Sequence, residues 1–429
     1  MKKHQFRPES LMMSYGYNPE LSEGAVKCPI FQTSTFEYKS AEEAKAFFEI
    51  AYGLRDKGPK EELGLIYSRL NNPNLEILEN RLCLWDKADD CAVFESGMAA
   101  ISTIMLEFLK PGDLLVHGNP LYGGTDHFIE HFLTSLGIEI MNVHADESIE
   151  NVIKQIEASG KAHKLAMIYF ETPANPTNDI MDIEAYSHIA KRFSSADRKV
   201  FLAVDNTYMG PLWQHPLQLG ADMVVYSATK YIGGHSDLIA GAVLGNADVM
   251  ARVKNLRTFL GNMLGPHTAW LLLRSLETLK VRMDRQTENA QKIARFLNAH
   301  PKVEKVNYLG LLKEGTPEYA IYKKQCDAPG AMISVYVKGG EKEAFTCLNS
   351  LKLFKLAVSL GSTESLAQHP KTMTHAGIDP QHRERMQITD NLIRLSIGVE
   401  NADDIIWDLD QALAKIAITR DDTVHSAVL

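Results

Sequence analysis

Cysteine and basic charge are both in short supply in this chain of 429 residues. The five cysteines are scattered and form no CxxC pair, so the sequence predicts neither a disulfide framework nor a structural zinc site, and we expect no bound metal. Lys and Arg number 45 against 54 Asp and Glu, a net charge of −9. This balance argues against the dense basic face that a nucleic acid or an anionic membrane would require.

Long apolar segments and the usual nucleotide-binding loops are also absent. No apolar run approaches the roughly 18 residues needed to span a bilayer. The two lysines of the N-terminal MKKHQFRPESLMM are not followed by the apolar stretch of a secretory signal. We therefore expect a reducing, cytoplasmic location. Neither GxGxxG nor GxxxxGK(S/T) occurs near the turn at 95–101, which argues against dinucleotide and nucleoside-triphosphate binding there.

The chain does contain an alternation of apolar runs and helical segments between residues 91 and 245. With 45% hydrophobic residues, it has enough apolar surface to build a large core. The predicted strands are 91–95, 114–118, 138–143, 165–171, 200–205, 223–228 and 240–245. Continuous apolar strands joined by helices predict a mainly parallel sheet buried on both faces. Such sheets bind ligands beyond the carboxyl ends of their strands, so functional residues should follow these runs.

The flanks of this region predict two further parts of the chain. Residues 1–67 contain a helical pattern at 39–54 and many aromatic residues that need burial, so we expect an arm that packs on a neighbouring subunit. Residues 68–280 would form the central domain. An uninterrupted helical pattern at 268–299 leads into a smaller α/β domain at 281–429. The predicted strands and helices of that domain are 331–339, 392–400, 343–354 and 403–416.

A lysine follows one of the predicted strands in a setting that suits chemistry. Lys230, in YSATKYIGGHSD (226–237), lies among small and hydroxyl residues, where a partly desolvated amine could bind an aldehyde. The hydroxyls of Ser227 and Thr229 could bind an anion beside it. A surface lysine in a turn is the commoner case.

An acid and a glycine turn follow two other predicted strands. Asp205 ends the strand before NTYMGP, where it could cap a helix, bind a metal or pair with a protonated ring nitrogen. In ESGMAAI (95–101), the N–H groups of Gly97 and Met98 would lie at a helix start, which is a ready cradle for an anion. Many ordinary strand-to-helix turns also contain Ser-Gly.

Together, a lysine, an acid and an anion cradle at one edge of a sheet fit pyridoxal 5′-phosphate. From about residue 10 to about 418, the chain resembles the Cys/Met-metabolism family of fold-type I pyridoxal-phosphate enzymes. That family includes cystathionine lyases, methionine γ-lyase, cystathionine γ-synthase and acylhomoserine sulfhydrylases. The resemblance is carried by eight motifs in the family's order: YSRLNNPN (67–74), ESGMAA, LYGGT (121–125), ETPANP (171–176), DNT (205–207), SATKYIGGHSD, SLGSTESLAQHP (359–370) and RLSIGVE (394–400).

The resemblance implies a role for each matching residue. Lys230 would join the cofactor aldehyde and act as a base, and Asp205 would pair with the pyridine nitrogen. Tyr122 would stack on the cofactor ring and is a candidate acid or base near the leaving sulfur. The other cofactor-binding residues would be Gly97, Met98, Thr207, Ser227 and Thr229. The substrate α-carboxylate would be bound by Arg394, Asn175 and Ser359.

The resemblance also implies an assembly and a fold. Tyr67 and Arg69 resemble the pair that a neighbouring subunit contributes to the cofactor phosphate, for which the Arg fork is well suited. The site would be composite, so the protein would be at least a homodimer and, as is usual in the family, a tetramer of two dimers. The expected fold is the fold-type I, transferase-like α/β architecture, with a mainly parallel large-domain sheet, a smaller C-terminal α/β domain and an N-terminal arm.

Two positions bear on the substrate, and they point in different directions. Val358 occupies a position where cystathionine γ-lyases and γ-synthases usually carry Glu, whereas Gly124 replaces the Cys usual in methionine γ-lyases. We predict a carbon–sulfur lyase of sulfur amino-acid metabolism that cleaves cystathionine by β- or γ-elimination. Methionine γ-lyase is the first alternative, and a γ-replacement enzyme (cystathionine γ-synthase or acylhomoserine sulfhydrylase) is the second. A non-catalytic cofactor-binding protein would need a lost lysine, acid or carboxylate-binding residue, and all three are present.

Overall fold

The computed structural model of the protein describes residue 4, residues 6–59, residue 61 and residues 64–417. The end of the predicted C-terminal domain and parts of the N-terminal arm lie outside these ranges. The strands are β1 Asp90–Phe94, β2 Leu114–Asn119, β3 Glu139–His144, β4 Leu165–Glu171, β5 Phe201–Asp205, β6 Met223–Tyr226, β7 Gly241–Gly245, β8 Val303–Asn307, β9 Met332–Val337, β10 Lys355–Leu356, β11 Leu366–Gln368 and β12 Leu392–Ser396.

Helices connect and cover these strands, and none of the helices in the described part of the chain is long and apolar enough to cross a membrane. They are α1 Pro8–Leu11, α2 Ala41–Ala51, α3 Pro73–Asp86, α4 Gly97–Phe108, α5 Gly123–His127, α6 Ile149–Ala158, α7 Ile183–Phe193, α8 Gly210–Trp213, α9 Ala247–Leu260, α10 Pro266–Leu276, α11 Leu279–Ala299, α12 Pro317–Gln325, α13 Glu341–Leu348, α14 Pro380–Arg385 and α15 Ala402–Leu413.

The larger sheet is mainly parallel, as predicted. Its order within the described residues is β1-β7-β6-β5-β4-β2-β3, and β7 runs antiparallel to both of its neighbours. Each of the predicted apolar runs overlaps one of these strands. Helices α4 and α9 pack on one face, and α3, α6, α7 and α10 pack on the other. Because both faces are covered, the strands are apolar along nearly their whole length.

The smaller sheet follows in the chain and has the order β10-β11-β12-β9-β8 in the part of the chain that the structure describes. Helices α11, α13 and α15 pack on it and share one continuous core with the larger sheet. The sequence predicted β9 and β12, which are buried throughout. It missed β8, because that strand is half exposed and carries polar residues, and also β10 and β11, which span only two and three residues.

The predicted uninterrupted helix over 268–299 is wrong, because the chain divides there into α10 and α11. The break falls at Thr278. Its hydroxyl donates to the carbonyl of Ser275 at 3.3 Å and accepts from Nε of Arg282 at 3.3 Å. A short polar side chain that bonds nearby backbone offers the chain a local alternative to the helix.

Part of the N-terminal segment packs on its own chain. The predicted helix at 39–54 is α2, which begins after Ser40, and the Ser40 hydroxyl caps it by accepting from the Glu43 N–H at 3.1 Å. Met12, just after α1, is fully buried, and its carbonyl accepts from Arg81 at 2.6 Å. Leu21, farther along, is largely exposed.

Candidate active site

The carboxyl ends of β4, β5 and β6 and the start of α4 surround a cavity of about 250 Å³. This is the edge of the sheet where parallel strands place ligands. Nine of the residues that the sequence proposed for the site line it: Gly97, Met98, Tyr122, Asn175, Asp205, Thr207, Ser227, Thr229 and Lys230.

Lys230 lies within the turn that follows β6, and its side chain lines the cavity. Its Nζ donates to the hydroxyl of Ser359 at 2.9 Å. Burial, together with the nearby Arg394, lowers the pKa of Lys230 to about 8. Ser359 has a φ of 99°, in a region that serine rarely adopts and that is concentrated at functional sites.

We expect the Lys230 amine of the cofactor-free protein to titrate near pH 8, whereas an ordinary lysine titrates near 10.4. The rate of its modification by an amine-selective reagent, followed by peptide mass spectrometry from pH 6 to 11, should rise with a midpoint at that value. The unfolded chain holds this proton more tightly, so the contribution of Lys230 to stability should rise between about pH 8 and 10.5. A midpoint at or above 10 would contradict the burial argument.

Asp205 ends β5 and presents a buried carboxylate to the cavity. It accepts the N–H of Thr207 at 2.9 Å and the hydroxyl of Tyr169 at 3.4 Å. Burial raises its pKa. Glu171 ends β4 directly opposite in register, lines the same cavity, and is also buried.

The start of α4 closes the other end of the cavity. The Ser96 side chain caps the helix by accepting from the Ala99 N–H at 3.0 Å, so the N–H groups of Gly97 and Met98 lie at its first turn. A Cβ atom at Gly97 would lie 2.9 Å from Cβ of Ser227, so glycine is required for this close approach. The Thr229 hydroxyl is bonded to both the N–H and the carbonyl of Ala240.

Tyr67 and Arg69 lie outside this cavity in their own chain. Arg69 donates to the carbonyl of Thr258 at 2.7 Å, and its guanidinium lies 5.9 Å from the ring centre of Tyr67. Tyr67 is 41% exposed. Among the described residues that line the cavity, Lys230 is the one basic residue, so within this lining no arginine or second lysine accompanies the helix start at Gly97.

The three residues proposed for carboxylate binding come together beside the cavity. Arg394, on β12, donates from Nη1 to Oδ1 of Asn175 at 3.0 Å and from Nη2 to the carbonyl of Ser359 at 2.5 Å. With its amide oxygen turned towards the guanidinium, Gln368 accepts from Nη1 at 2.9 Å. Tyr208 donates its hydroxyl to Asn175 at 2.7 Å. The guanidinium is therefore held in place by neutral oxygens and keeps its charge for an anion.

Sequence reasoning assigned no role to Glu171, Tyr208, Gln368 or His375, all of which contact this site. Glu171 could have been found by the argument that found Asp205, because it is the acid that ends the neighbouring apolar strand. Gln368 and His375 belong to the smaller sheet and the loop after it, and nothing local in the sequence places them beside Arg394 and Tyr122.

These residues fit pyridoxal phosphate. An amine of lowered pKa suits an aldehyde, a buried carboxylate suits a protonated ring nitrogen, and the helix start suits a phosphate. Glycine at position 97 keeps the space between this helix start and Ser227 open, whereas a side chain there would fill the space that a phosphate needs.

Comparison with known proteins agrees with this geometry. The family model described as Cys/Met metabolism PLP-dependent enzyme matches residues 9–414. An L-methionine γ-lyase of Fusobacterium nucleatum subsp. polymorphum is 43% identical over 397 residues, covering 92% of this chain and 94% of that protein. Human cystathionine γ-lyase is 40% identical over 361 residues, covering 84% of this chain and 86% of that protein.

Solved structures extend the likeness to the fold. The crystal structure of a cystathionine γ-synthase from Xanthomonas oryzae pv. oryzae, in complex with aminoacrylate and cysteine, matches with a TM-score of 0.85 and 31% identity, covering 96% of this chain and 99% of that one. The chain therefore belongs to the Cys/Met-metabolism family of pyridoxal-phosphate-dependent enzymes, and it is a carbon–sulfur lyase with pyridoxal phosphate as its cofactor.

Proposed function

We propose that the protein cleaves the Cγ–S bond of thioether amino acids, and that an uncharged side-chain end, as in methionine, is preferred over the charged distal end of cystathionine. The observation that carries this preference is the lining of the cavity. Beyond the three charged residues that face the cofactor position, apolar atoms make up most of the lining surface, and five lining residues are aliphatic: Met98, Ile101, Pro173, Ile239 and Leu360. A distal ammonium and carboxylate would be desolvated against these side chains without a charged partner.

Cystathionine, which the sequence placed first, remains the second candidate because the mouth of the cavity is open. Ile239, at the mouth, is 67% exposed, and Val358, next to Ser359, is 55% exposed. A longer substrate could extend past both side chains and keep its distal charges in water.

In this proposal each residue of the site has a distinct role in the elimination reaction. Pyridoxal phosphate, when bound, supplies an aldehyde that condenses with the substrate amine and a ring that accepts electrons from Cα. Lys230 would take the proton from Cα and pass it to the cofactor carbon, which leaves the amine free to take a proton from Cβ in γ-elimination. Arg394 binds the α-carboxylate and orients the Cα–H bond. Asp205 holds the proton on the ring nitrogen, and Tyr122 donates a proton to the leaving sulfur.

The experiment that tests this proposal is a product panel across methionine, cystathionine, cysteine and acylhomoserines. We expect 2-oxobutyrate and methanethiol from methionine, with kcat/KM at least about tenfold above that for cystathionine, the discrimination that one uncompensated polar group imposes. A higher kcat/KM for cystathionine, with 2-oxobutyrate and cysteine as products, would overturn the preference. Pyruvate and homocysteine would move the activity to β-elimination, and cystathionine formed from an acylhomoserine and cysteine would indicate γ-replacement.

We further infer that Tyr67 and Arg69 complete the phosphate site of a second copy of the chain. The support is that both are exposed and lie outside their own cavity, whose described lining has no arginine or second lysine at the phosphate end. Exposed apolar residues, with Phe259 at 75%, lie near Arg69 and would be covered by such a partner. In this proposal residues 1–67 are the arm, 68–280 and 281–429 are the two domains, and two dimers form the tetramer.

Mixing two inactive variants tests this composite site. Arg69→Ala and Lys230→Ala are each expected to be inactive or nearly so. A hybrid dimer would contain one site in which Lys230 from one chain meets Arg69 from the other, so co-refolding equal amounts should restore roughly a quarter of the wild-type activity. If Arg69 acted within its own chain, no hybrid would contain an intact site and mixing would restore nothing.

We also retain the proposal of a cytoplasmic location. All five cysteines are free thiols, which is usual for proteins of reducing compartments.

A further inference from the structure

The peptide group that joins Leu121 to Tyr122 is bonded at both ends by buried side chains. Its N–H, from Tyr122, donates to Oε1 of Glu171 at 2.6 Å. Its carbonyl, from Leu121, lies 3.2 Å from Nε2 of His375. Glu171 ends β4 of the larger sheet, whereas His375 lies between β11 and α14 on the side of the smaller sheet, and both are almost fully buried. One peptide plane is thus held from two different parts of the fold.

The hydrogen-bond network defines which atom of His375 donates. Burial and the nearby Arg394 lower the pKa of His375 to about 4, so the ring is neutral and has a single N–H. Its Nδ1 lies 2.8 Å from the hydroxyl of Thr374. A backbone carbonyl can only accept, so the hydrogen bond to Leu121 requires the N–H of this ring to be on Nε2, and Nδ1 then accepts from the Thr374 hydroxyl.

The side chains of Glu171 and His375 also face the backbone of Asn175. The N–H of Asn175 faces the Glu171 carboxylate, and the Asn175 carbonyl faces His375. The contact between the two sheets is close here, because a Cβ atom on Gly123 would lie 2.1 Å from the carbonyl oxygen of Thr374. The loop that carries Tyr122 therefore cannot move towards the smaller sheet without displacing the segment that holds His375.

We propose that Glu171 and His375 are positioning residues that set the ring of Tyr122 through its backbone. The Tyr122 side chain is 42% exposed, so the peptide bonds on its N-terminal side are the buried contacts that orient it. Stacking of this ring on the cofactor then depends on how the smaller sheet sits against the larger one. The role of the ring rests on the proposed function, but the fixation of the peptide does not.

The first test is the exchange rate of the Tyr122 amide hydrogen in the full-length cofactor-free protein, which does not depend on activity. Glu171→Ala should raise it about tenfold, the factor expected when one buried hydrogen bond is lost. Glu171→Gln keeps an oxygen acceptor and should restore most of the protection. If the alanine variant does not fold, Glu171→Leu, which fills the space without accepting, should give the same result. Unchanged exchange in these variants would overturn the proposal.

The matched control for the imidazole is another buried histidine of the same segment. His369 bonds the Thr372 hydroxyl and the carbonyl of Asp390, both on the side of the smaller sheet. We expect His375→Ala to raise the exchange rate of the Tyr122 amide and to weaken cofactor binding. His369→Ala should lower stability to a similar degree and change neither measurement. If the two variants behaved alike, His375 would be only structural.

A double-mutant cycle tests whether Glu171 acts through Tyr122. Cofactor affinity would be measured by fluorescence quenching in the wild type, Glu171→Ala, Tyr122→Ala and the double variant. We expect Glu171→Ala to weaken binding about tenfold when Tyr122 is present and less than about twofold when it is absent. Additive losses would show that Glu171 acts independently of the ring. Neither amide exchange nor cofactor affinity depends on turnover. An incorrect substrate assignment would therefore leave both measurements unchanged, and the two proposals can fail separately.

Discussion

Replacing Lys230 with alanine is expected to lower kcat by at least roughly 10²–10⁴-fold, the range that a positioned proton-transfer group contributes. The variant loses both the amine that meets the aldehyde and the base that serves Cα. The amine is well placed for both roles, because Nζ donates at 2.9 Å to the hydroxyl of Ser359, the residue whose carbonyl accepts from Arg394. Its pKa of about 8 also leaves a substantial neutral fraction near physiological pH. The measurement is kcat on the best substrate of the product panel.

The matched control for Lys230→Ala is a lysine near the amino ends of the parallel strands, away from the cavity. Lys199 precedes β5 and pairs with Asp222 at 2.6 Å. Lys199→Ala should keep wild-type turnover, since Lys199 is half exposed and the pair lies at the end of the strand away from the cavity. Normal turnover in Lys230→Ala would end the proposed mechanism.

Asp205→Asn is expected to lower kcat by roughly 10²–10³-fold, the cost of removing one preorganised electrostatic contact to developing charge. Asparagine has the same shape, and its amide oxygen can still accept the Thr207 N–H that Asp205 accepts at 2.9 Å. What it cannot do is stabilise a proton on the ring nitrogen as a carboxylate does. The dissociation constant of the cofactor should therefore change much less than kcat.

This second prediction is checked by measuring kcat and cofactor affinity on the same preparation. Asp222→Asn is the control, because Asp222 holds the N–H of Leu202 at 2.9 Å at the amino end of β5 and faces no part of the cavity. Full activity in Asp205→Asn would show that the acid is only structural.

The large sheet could be predicted strand by strand because strands buried on both faces are apolar throughout, and such runs are visible in a sequence. The same logic located Lys230, Asp205 and Gly97, since each lies at the carboxyl end of one of those strands or within four residues of it. The structure brings all three to one cavity. The break between α10 and α11 was missed because it contains no Gly or Pro, and its polar contact, from the Thr278 hydroxyl to the carbonyl of Ser275, leaves the helical pattern of the sequence continuous.

The carboxylate-binding group could not be derived from sequence spacing. Asn175, Ser359 and Arg394 come from both sheets and meet only when the smaller one packs on the larger, so their proposal depended on the resemblance to a family. The resemblance to a family did not lead to a role for Glu171 or His375 either. The strand-end argument could have found Glu171, but the hydrogen bonds of Glu171 and His375 to one peptide group are visible only in the structure.

The central claim is that the amine of Lys230 is the one that the cofactor aldehyde joins. Reduction of the cofactor-bound protein with borohydride, followed by proteolysis and peptide mass mapping, tests it directly. We predict that the peptide containing Lys230 alone gains the mass of the reduced cofactor. The same mass on another lysine, or on no peptide at all, would contradict the account.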